Sequence, residues 1–407
     1  MKRFSIEYAD WSHREYATIA RNLLRGRVHQ GPATQRLALQ LAQMYAPSDI
    51  QLLNYGHHAI EIALSIFKER RPERMQVVGP AYICPSVLES VKKCGLQWRS
   101  VDVREDLNID VDAMARVLGA DTLAVIAPHM YGCPADIEAI EDRCHAAGTY
   151  LIDDAAQVVG VEKNGRLLGT FGDMGIVSFA QSKMVVTGIR GSGGMLLVNN
   201  ASWRLAVEPR CAALAPPAGR LGPILDFLWN HLAEPYTGHT GYYLERMFRA
   251  MGLEEPRSPG ITKMANLEAA IALVQLDRLE SILASKRRVV QAYEKVLKNF
   301  PALRFAQYGP GRALARVVLE VPVGVNLAAF RKIASQQGVQ TRKTYPLAPD
   351  ASESSLAFSL SNRLVGVPCG AGLTEKNIEH ICTVLVRALR CAQLRQCPAA
   401  SSSQAHW

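Results

Sequence analysis

No stretch of this chain is apolar for long enough to cross a bilayer. The longest runs, such as Thr122–Ala127, fall far short of the roughly 20 residues that a spanning helix needs. The opening Met1-Lys-Arg-Phe-Ser-Ile-Glu-Tyr lacks the apolar core of a secretory signal. The nine cysteines include no CxxC pair and no zinc-like spacing, and their odd count fits reduced thiols. These absences predict a cytoplasmic protein with no membrane partner and no metal site. Charged residues are only 20% of the chain against 48% hydrophobic. That balance excludes wholesale disorder and lets 407 residues bury one large core and a second, smaller one. No internal repeat is visible.

The formal charge is +9, yet the basic residues are spread, with short groups only at Lys68-Glu-Arg-Arg71 and Lys286-Arg-Arg288. Nucleic-acid binding wants lysines and arginines gathered on one face or in a tail. The charge therefore reads as a solvated basic surface with no nucleic-acid partner, part of which attracts an anionic substrate.

From about residue 50 to 200, short apolar runs alternate with helix-like stretches. Met75–Gly79, Gln97–Val103, Thr122–Ala127, Tyr150–Ile152, Ile176–Phe179 and Met195–Val198 read as strands. Ala59–Glu69, Pro85–Cys94, Val111–Leu118 and Pro134–Ala147 carry apolar residues at helical spacing. Such alternation predicts a mostly parallel sheet covered on both faces. After Pro256 the character changes. Asn266–Lys298 reads as one long amphipathic helix or a helix with a break, followed by a strand at Arg316–Val321 and helices at Leu327–Gln337 and Glu375–Gln393. The expected division is a large domain with an N-terminal segment over residues 1–255, the long helix and a small C-terminal α+β domain over 256–397 and a frayed tail over 398–407. Ala212–Pro223 reads as a mobile loop.

The chemistry concentrates in Leu151-Ile-Asp-Asp-Ala-Ala-Gln-Val-Val-Gly160 and Gly172-Asp-Met-Gly-Ile-Val-Ser-Phe-Ala-Gln-Ser-Lys183. An apolar strand ends in paired aspartates, which brings Asp154 out at the carboxyl edge of a parallel sheet, where ligands bind. A second strand ends in Ser178-Phe179, with Lys183 five residues beyond the serine. A carboxylate and a lysine at neighbouring strand ends suit pyridoxal 5′-phosphate. The carboxylate keeps the pyridine nitrogen protonated, and the desolvated lysine forms the Schiff base. Taken singly, the aspartates are a cap or a turn and the lysine a surface charge; the joint spacing carries the reading. Asn54-Tyr-Gly-His-His-Ala59 is a turn entering a helix, where backbone N–H groups bind phosphate and Gly56 permits close approach. Adjacent residues on a helix point in different directions, so His57 and His58 are not read as metal ligands.

On these residues the chain resembles the DegT–StrS family of fold-type I pyridoxal-phosphate enzymes, best known as aminotransferases of nucleotide-linked keto-sugars. Gly26-Arg-Val-His-Gln-Gly-Pro32 is similar to the family's first motif, and Gly56-His-His-Ala59 stands where its phosphate-binding Gly-Thr-Ser/Ala-Ala stands. Pro128-His-Met-Tyr-Gly132 with Ala135-Asp136 resembles its Val-His-Leu-Tyr-Gly…Ala-Asp segment. Asp154-Ala-Ala-Gln157 and Ser178-Phe179…Lys183 match its Glu-Asp-Ala-Ala-Gln and Ser-Phe…Lys. Leu267–Leu279 resembles the helix that follows its Gly-Tyr-Asn segment. The resemblance implies the following roles: Asp154 on the pyridine nitrogen, Gln157 against the ring and its phenolic oxygen, Ser178 on phosphate and Lys183 as the Schiff-base lysine. It also implies a seven-stranded mostly parallel sheet with a small C-terminal α+β domain, a homodimer, and transamination from an amino acid such as glutamate to a keto-sugar.

Three departures accompany it. Ile261, in Pro259-Gly-Ile-Thr-Lys263, replaces an asparagine that reaches the neighbouring subunit's phosphate. Cys84 falls where an aromatic ring usually covers the cofactor, which leaves either Tyr82 stacking in its place or a thinly covered face. The family's Gly-Glu-Gly-Gly becomes the longer Gly188-Ile-Arg-Gly-Ser-Gly-Gly194, with Arg190 in it. Arg190, and Arg342, Lys343 and Tyr345 in the turn Gly338–Pro346, are the candidate substrate residues. Tyr236, His239, Tyr242 and Tyr243 form a further polar aromatic cluster. The departures leave a non-sugar reaction of specialised metabolism as the second reading within pyridoxal chemistry: transamination, elimination or carbon–carbon bond chemistry. A non-catalytic regulator or nucleic-acid binder is the third, disfavoured by the intact Asp154, Gln157, Ser178 and Lys183.

Overall fold

A computed structural model of the chain describes residue 4 and residues 9–188, 193–218, 228, 260–306 and 312–394. Arg190, the Tyr236–Tyr243 cluster, the end of the 212–223 loop and the tail from 398 lie outside the described residues.

Strands β1 (Asp49–Leu53), β2 (Gln76–Pro80), β3 (Gln97–Val101), β4 (Thr122–Pro128) and β5 (Tyr150–Asp154) precede a short hairpin, β6 (Glu162–Lys163) and β7 (Arg166–Leu167). Strands β8 (Met174–Ser178) and β9 (Gly194–Val198) follow. Apart from the hairpin they form one seven-stranded sheet in the order β1-β9-β8-β5-β4-β2-β3. Neighbours from β8 to β3 pair parallel, and β9 alone runs against both its partners. The mostly parallel seven-stranded sheet expected from the sequence is therefore present. β1, with its polar Asp49 and Gln51, escapes a search for apolar runs and is held by β9.

Every residue of β4 and β8 is buried, as parallel strands covered on both faces require. Alternation then sorts the side chains. Val125, Leu151, Val177 and Leu197 belong to one core, Ile126, Ile152, Ile176 and Leu196 to the other. The second core also holds Ile60, Ala63, Leu64 and Phe67 of the helix that follows β1. Asp154 is two residues beyond Ile152, so it leaves β5 on that helix's side. Asp153 goes to the opposite face.

A four-stranded antiparallel sheet, in the order β10 (Arg304–Phe305), β11 (Val317–Glu320), β13 (Leu364–Val367), β12 (Arg342–Lys343), makes the smaller layer. Val289, Tyr293, Phe330, Ile381 and Leu385 pack its core from the helices Leu279–Leu297, Leu327–Gln336 and Glu375–Leu394. The long helix does break. Asn266–Leu276 and Leu279–Leu297 meet at Arg278, whose backbone leaves helical geometry (φ −115, ψ 11) while its guanidinium donates to the Asp10 carbonyl (2.7 Å) and pairs with buried Glu15. Met264, Ala269, Leu276 and Leu283 lie in the core of the large sheet, so that core extends well past residue 255. Among the described residues no helix is long and apolar enough to cross a membrane.

Candidate active site

The carboxyl ends of β2, β4, β5 and β8 open on one edge of the sheet, and Tyr82, Cys84, Asp154, Gln157, Ser178 and Lys183 come from there. Asp153 and Asp154 have separate jobs. Asp153 is fully buried and accepts hydrogen bonds from the Gly169 and Phe171 N–H groups (2.6 and 3.1 Å) through one oxygen. Its other oxygen lies 2.7 Å from His129 Nε2. Because the Ala135 N–H donates to His129 Nδ1 (3.0 Å), the ring proton sits on Nε2 and is given to Asp153. This pair staples the loop after β4 to the turn before β8. Asp154 is buried and accepts from the Ala156 N–H (3.1 Å). Burial pushes its carboxyl above the ordinary value, while the nearby Lys183 pulls it back down.

Lys183 is half-buried and follows Ser182, whose left-handed backbone (φ 60) turns the chain sharply just before the lysine. Burial drives the amine down to about 8; Cys84 and Asp154 oppose the shift, and Arg316 and Arg342 reinforce it. A lysine so desolvated loses its proton far more readily than a free amine and has a reachable neutral, nucleophilic form. Gln157, three residues past β5, is buried, and its Oε1 has no hydrogen-bond partner among the described residues. A polar atom left in that state in a protein interior is costly unless a ligand satisfies it.

Helix α3 here denotes Gly56–Arg70, the third after α1 (His13–Leu24) and α2 (Ala33–Met44). The Tyr55 side chain makes no capping bond, and Lys68 and Arg70 sit in the last turn, so its positive end faces the site. Its first residue meets Ser178: a Cβ on Gly56 would lie 2.7 Å from the Ser178 Cβ. The close approach demands glycine and brings helix N–H groups and the serine hydroxyl to one spot, a natural anion cradle. His57 and His58 overturn the expectation that their rings diverge. Their centroids are 4.4 Å apart, and their ring nitrogens gather with a Glu61 oxygen within 4.8 Å. Glu61 is already met by the Lys93 ammonium (3.0 Å) and the Ser90 hydroxyl (3.3 Å), and His58 Nδ1 lies 2.7 Å from Asn54 Oδ1. An internal cation thus neutralises the carboxylate.

Tyr82 is fully buried in a tyrosine trio. Its hydroxyl lies 2.7 Å from that of Tyr131, and the Tyr345 N–H donates to both (3.2 and 3.3 Å). The Tyr345 ring stacks on Tyr131 (5.2 Å, 17°). The trio locks the turn that carries Arg342 and Tyr345 onto the large sheet, and burial pushes the Tyr82 phenol up to about 12. Cys84, at the start of the helix Pro85–Lys93, is the residue of that segment that acts on Lys183. Ile261 packs against the apolar core beside α3, while the neighbouring Thr262 N–H donates to Asn54 Oδ1 (3.1 Å). One cation was not anticipated. Arg316, just before β11, lies near Lys183, and no motif spacing in the sequence announces it.

A lysine whose pKa burial lowers beside a buried carboxylate, an anion cradle at a helix start, and a doubly covered parallel sheet fit a fold-type I pyridoxal-phosphate enzyme. The model of the DegT/DnrJ/EryC1/StrS aminotransferase family matches residues 10–386, and the chain belongs to that family. It is a pyridoxal-phosphate-dependent aminotransferase. It is 23% identical over 377 residues to GDP-perosamine synthase of Vibrio cholerae, covering 89% of this chain and 92% of that one. Its fold is similar to that of Helicobacter pylori PseC, an aminotransferase involved in the biosynthesis of pseudoaminic acid (TM-score 0.75, 13% identity, 96% and 100% covered). It is also similar to an E. coli GDP-4-keto-6-deoxy-D-mannose-3-dehydratase with bound hydrated PLP (TM-score 0.73, 17% identity, 95% and 100% covered).

Proposed function

We propose that this enzyme transfers an amino group from an amino-acid donor, glutamate, to the keto group of a nucleotide-linked sugar, with Lys183 as the cofactor-bearing lysine. The observation that carries the site assignment is the pairing of a half-buried Lys183, its pKa lowered by burial, with buried Asp154 at one strand edge. The N–H groups of Gly56, His57 and His58 and the Ser178 hydroxyl hold the phosphate. Asp154 holds the proton on the ring nitrogen, Gln157 turns its unpartnered oxygen to the ring, and Cys84 covers a ring face that an aromatic residue covers elsewhere. Bound there, pyridoxal phosphate supplies the electron sink for charge at the donor's α-carbon. Displaced by the donor, Lys183 moves the proton at that carbon. The enzyme acts as a cytoplasmic homodimer.

The acceptor reading is supported by the Vibrio relative, whose name specifies a GDP-linked sugar, and by a cation, Arg342, on the turn that the tyrosine trio fixes over the site. Arg342 holds the acceptor's diphosphate, a charge-assisted contact that is often bidentate. Arg342→Ala is therefore expected to raise the acceptor KM by about tenfold or more, since hydrogen bonds to charged groups contribute about 1.5–3 kcal/mol. The experiment follows the cofactor spectrum with L-glutamate alone, then adds GDP-, dTDP- and UDP-4-keto-sugars one at a time. Turnover with one of them, impaired in the variant on the acceptor side, is the expected result. A spectrum that answers to glutamate while no nucleotide sugar is turned over contradicts the sugar acceptor and favours a non-sugar substrate.

A further inference from the structure

We propose that Gln275 is a positioning residue for the reaction, fixing the loop that carries Lys183. The inference rests on the reading of Lys183 as the cofactor-bearing lysine and names a residue which that reading does not use. The loop leaves β8 at Phe179 and closes where the Thr187 N–H donates to the Phe179 carbonyl (3.0 Å). Between these ends Met184 and Val185 enter the large core, and Ser182 makes the left-handed turn before the lysine. One backbone unit of the loop, that of Val186, is held by side chains from distant parts of the chain. Its N–H donates to Gln275 Oε1 (3.0 Å), and its carbonyl accepts from Gln275 Nε2 (2.5 Å) and Trp11 Nε1 (2.7 Å). The glutamine amide thus pairs with Val186 on both sides, as a neighbouring strand would.

Packing alone does not account for this residue. Gln275 is fully buried near the end of the helix Asn266–Leu276, whose buried side chains include Ala269, Ala270, Ile271, Ala272 and Leu276. A buried amide in such apolar company is costly unless its polar atoms are bonded, and both of its hydrogen bonds go to Val186. Trp11 is itself fixed. The neighbouring Asp10 receives the Arg278 guanidinium at its carbonyl (2.7 Å) and pairs with the buried Lys286 through its carboxylate (3.1 Å). The N-terminal segment and the helix therefore converge on a peptide unit three residues beyond Lys183. The burial of the lysine, and its place beside Asp154, depend on where that loop lies. A group that moves a proton at the reacting carbon tolerates little displacement, since misplacement by about 1 Å can cost about 10²-fold in rate.

The test follows Lys183 itself, in the full chain stripped of cofactor. Acetic anhydride reacts with the neutral amine, so the labelling rate of the Lys183 peptide against pH, read by mass spectrometry, gives the midpoint of its ionisation. Burial holds that amine down to about 8. Gln275→Met keeps the volume and loses both bonds. The freed loop admits water to the amine, so the midpoint is expected to rise by about half a pH unit or more. In the holoenzyme the same variant should lose roughly tenfold in the limiting rate of the glutamate half-reaction, with the glutamate KM little changed. Gln275→Glu, which retains an acceptor for the Val186 N–H, should fall between. A lower melting temperature with the Lys183 midpoint unchanged marks a glutamine that only holds the core together and overturns the proposal; if Gln275→Met does not fold, a wild-type midpoint in Gln275→Glu does so. A midpoint that answers to Gln275 in a protein whose borohydride label falls on another lysine would sink the cofactor assignment and leave the loop-fixing role standing.

Discussion

Lys183→Ala is expected to abolish turnover, lowering it by about 10⁴-fold or more, because one substitution removes the covalent anchor and the proton carrier together. The loss should be chemical rather than structural. Lys183 is half-buried, and the sharp turn before it is made by Ser182, which remains. The helix α3 cradle also remains, so the variant should still bind the cofactor, reversibly and without the absorbance of a lysine adduct. Dialysis against buffer then strips the cofactor from the variant much faster than from the wild type. A variant with more than a hundredth of wild-type turnover would show that another group moves the proton.

Asp154→Asn should cost about 10²–10³-fold in turnover, the range seen when one preorganised electrostatic contact at a reacting centre is removed. Asparagine has nearly the same volume and can still accept the Ala156 N–H, so the end of β5 is preserved. What it lacks is the negative charge that holds a proton on the ring nitrogen. The companion Asp153→Asn should behave differently: its one carbonyl oxygen can serve either His129 or the Gly169 and Phe171 N–H groups, its NH2 then faces a donor on the other side, and the melting temperature falls. Stopped-flow absorbance in the glutamate half-reaction reads the first effect and thermal unfolding the second. Wild-type rates in Asp154→Asn would remove its assigned role.

The large sheet and Asp154 were legible because they rest on local pattern. Period-two alternation sends Asp153 and Asp154 to opposite faces once Leu151 and Ile152 are assigned to opposite cores. The Ser178-to-Lys183 spacing is likewise local. The N-terminal helices carry a local signal too: Ser12 and Glu15 form a capping box at the start of α1, and Leu37 and Leu41 recur at helical spacing in α2. Other features have no local signature. The convergence of His57 and His58 with Glu61 depends on Lys93 and Ser90 from the following helix. Tyr82 meets Tyr131 and Tyr345 only when strand ends and a small-layer turn are folded together. Arg316 is placed by two left-handed residues, Tyr131 and Gly132, that sequence does not mark, since a tyrosine is not expected at positive φ. Local pattern thus reached the residues at the strand ends, and tertiary contact was needed for those that the small layer brings to them.

Reduction of the native holoenzyme with borohydride, followed by proteolysis and mass mapping, tests the central claim most directly. A lysine that bears the cofactor keeps the pyridoxyl group permanently after reduction. The expected result is a single labelled peptide with the modification on Lys183, and loss of that label when excess glutamate is added before the reductant. Label on any other lysine, or no stable label on a protein that retains the cofactor spectrum, would contradict the assignment of Lys183.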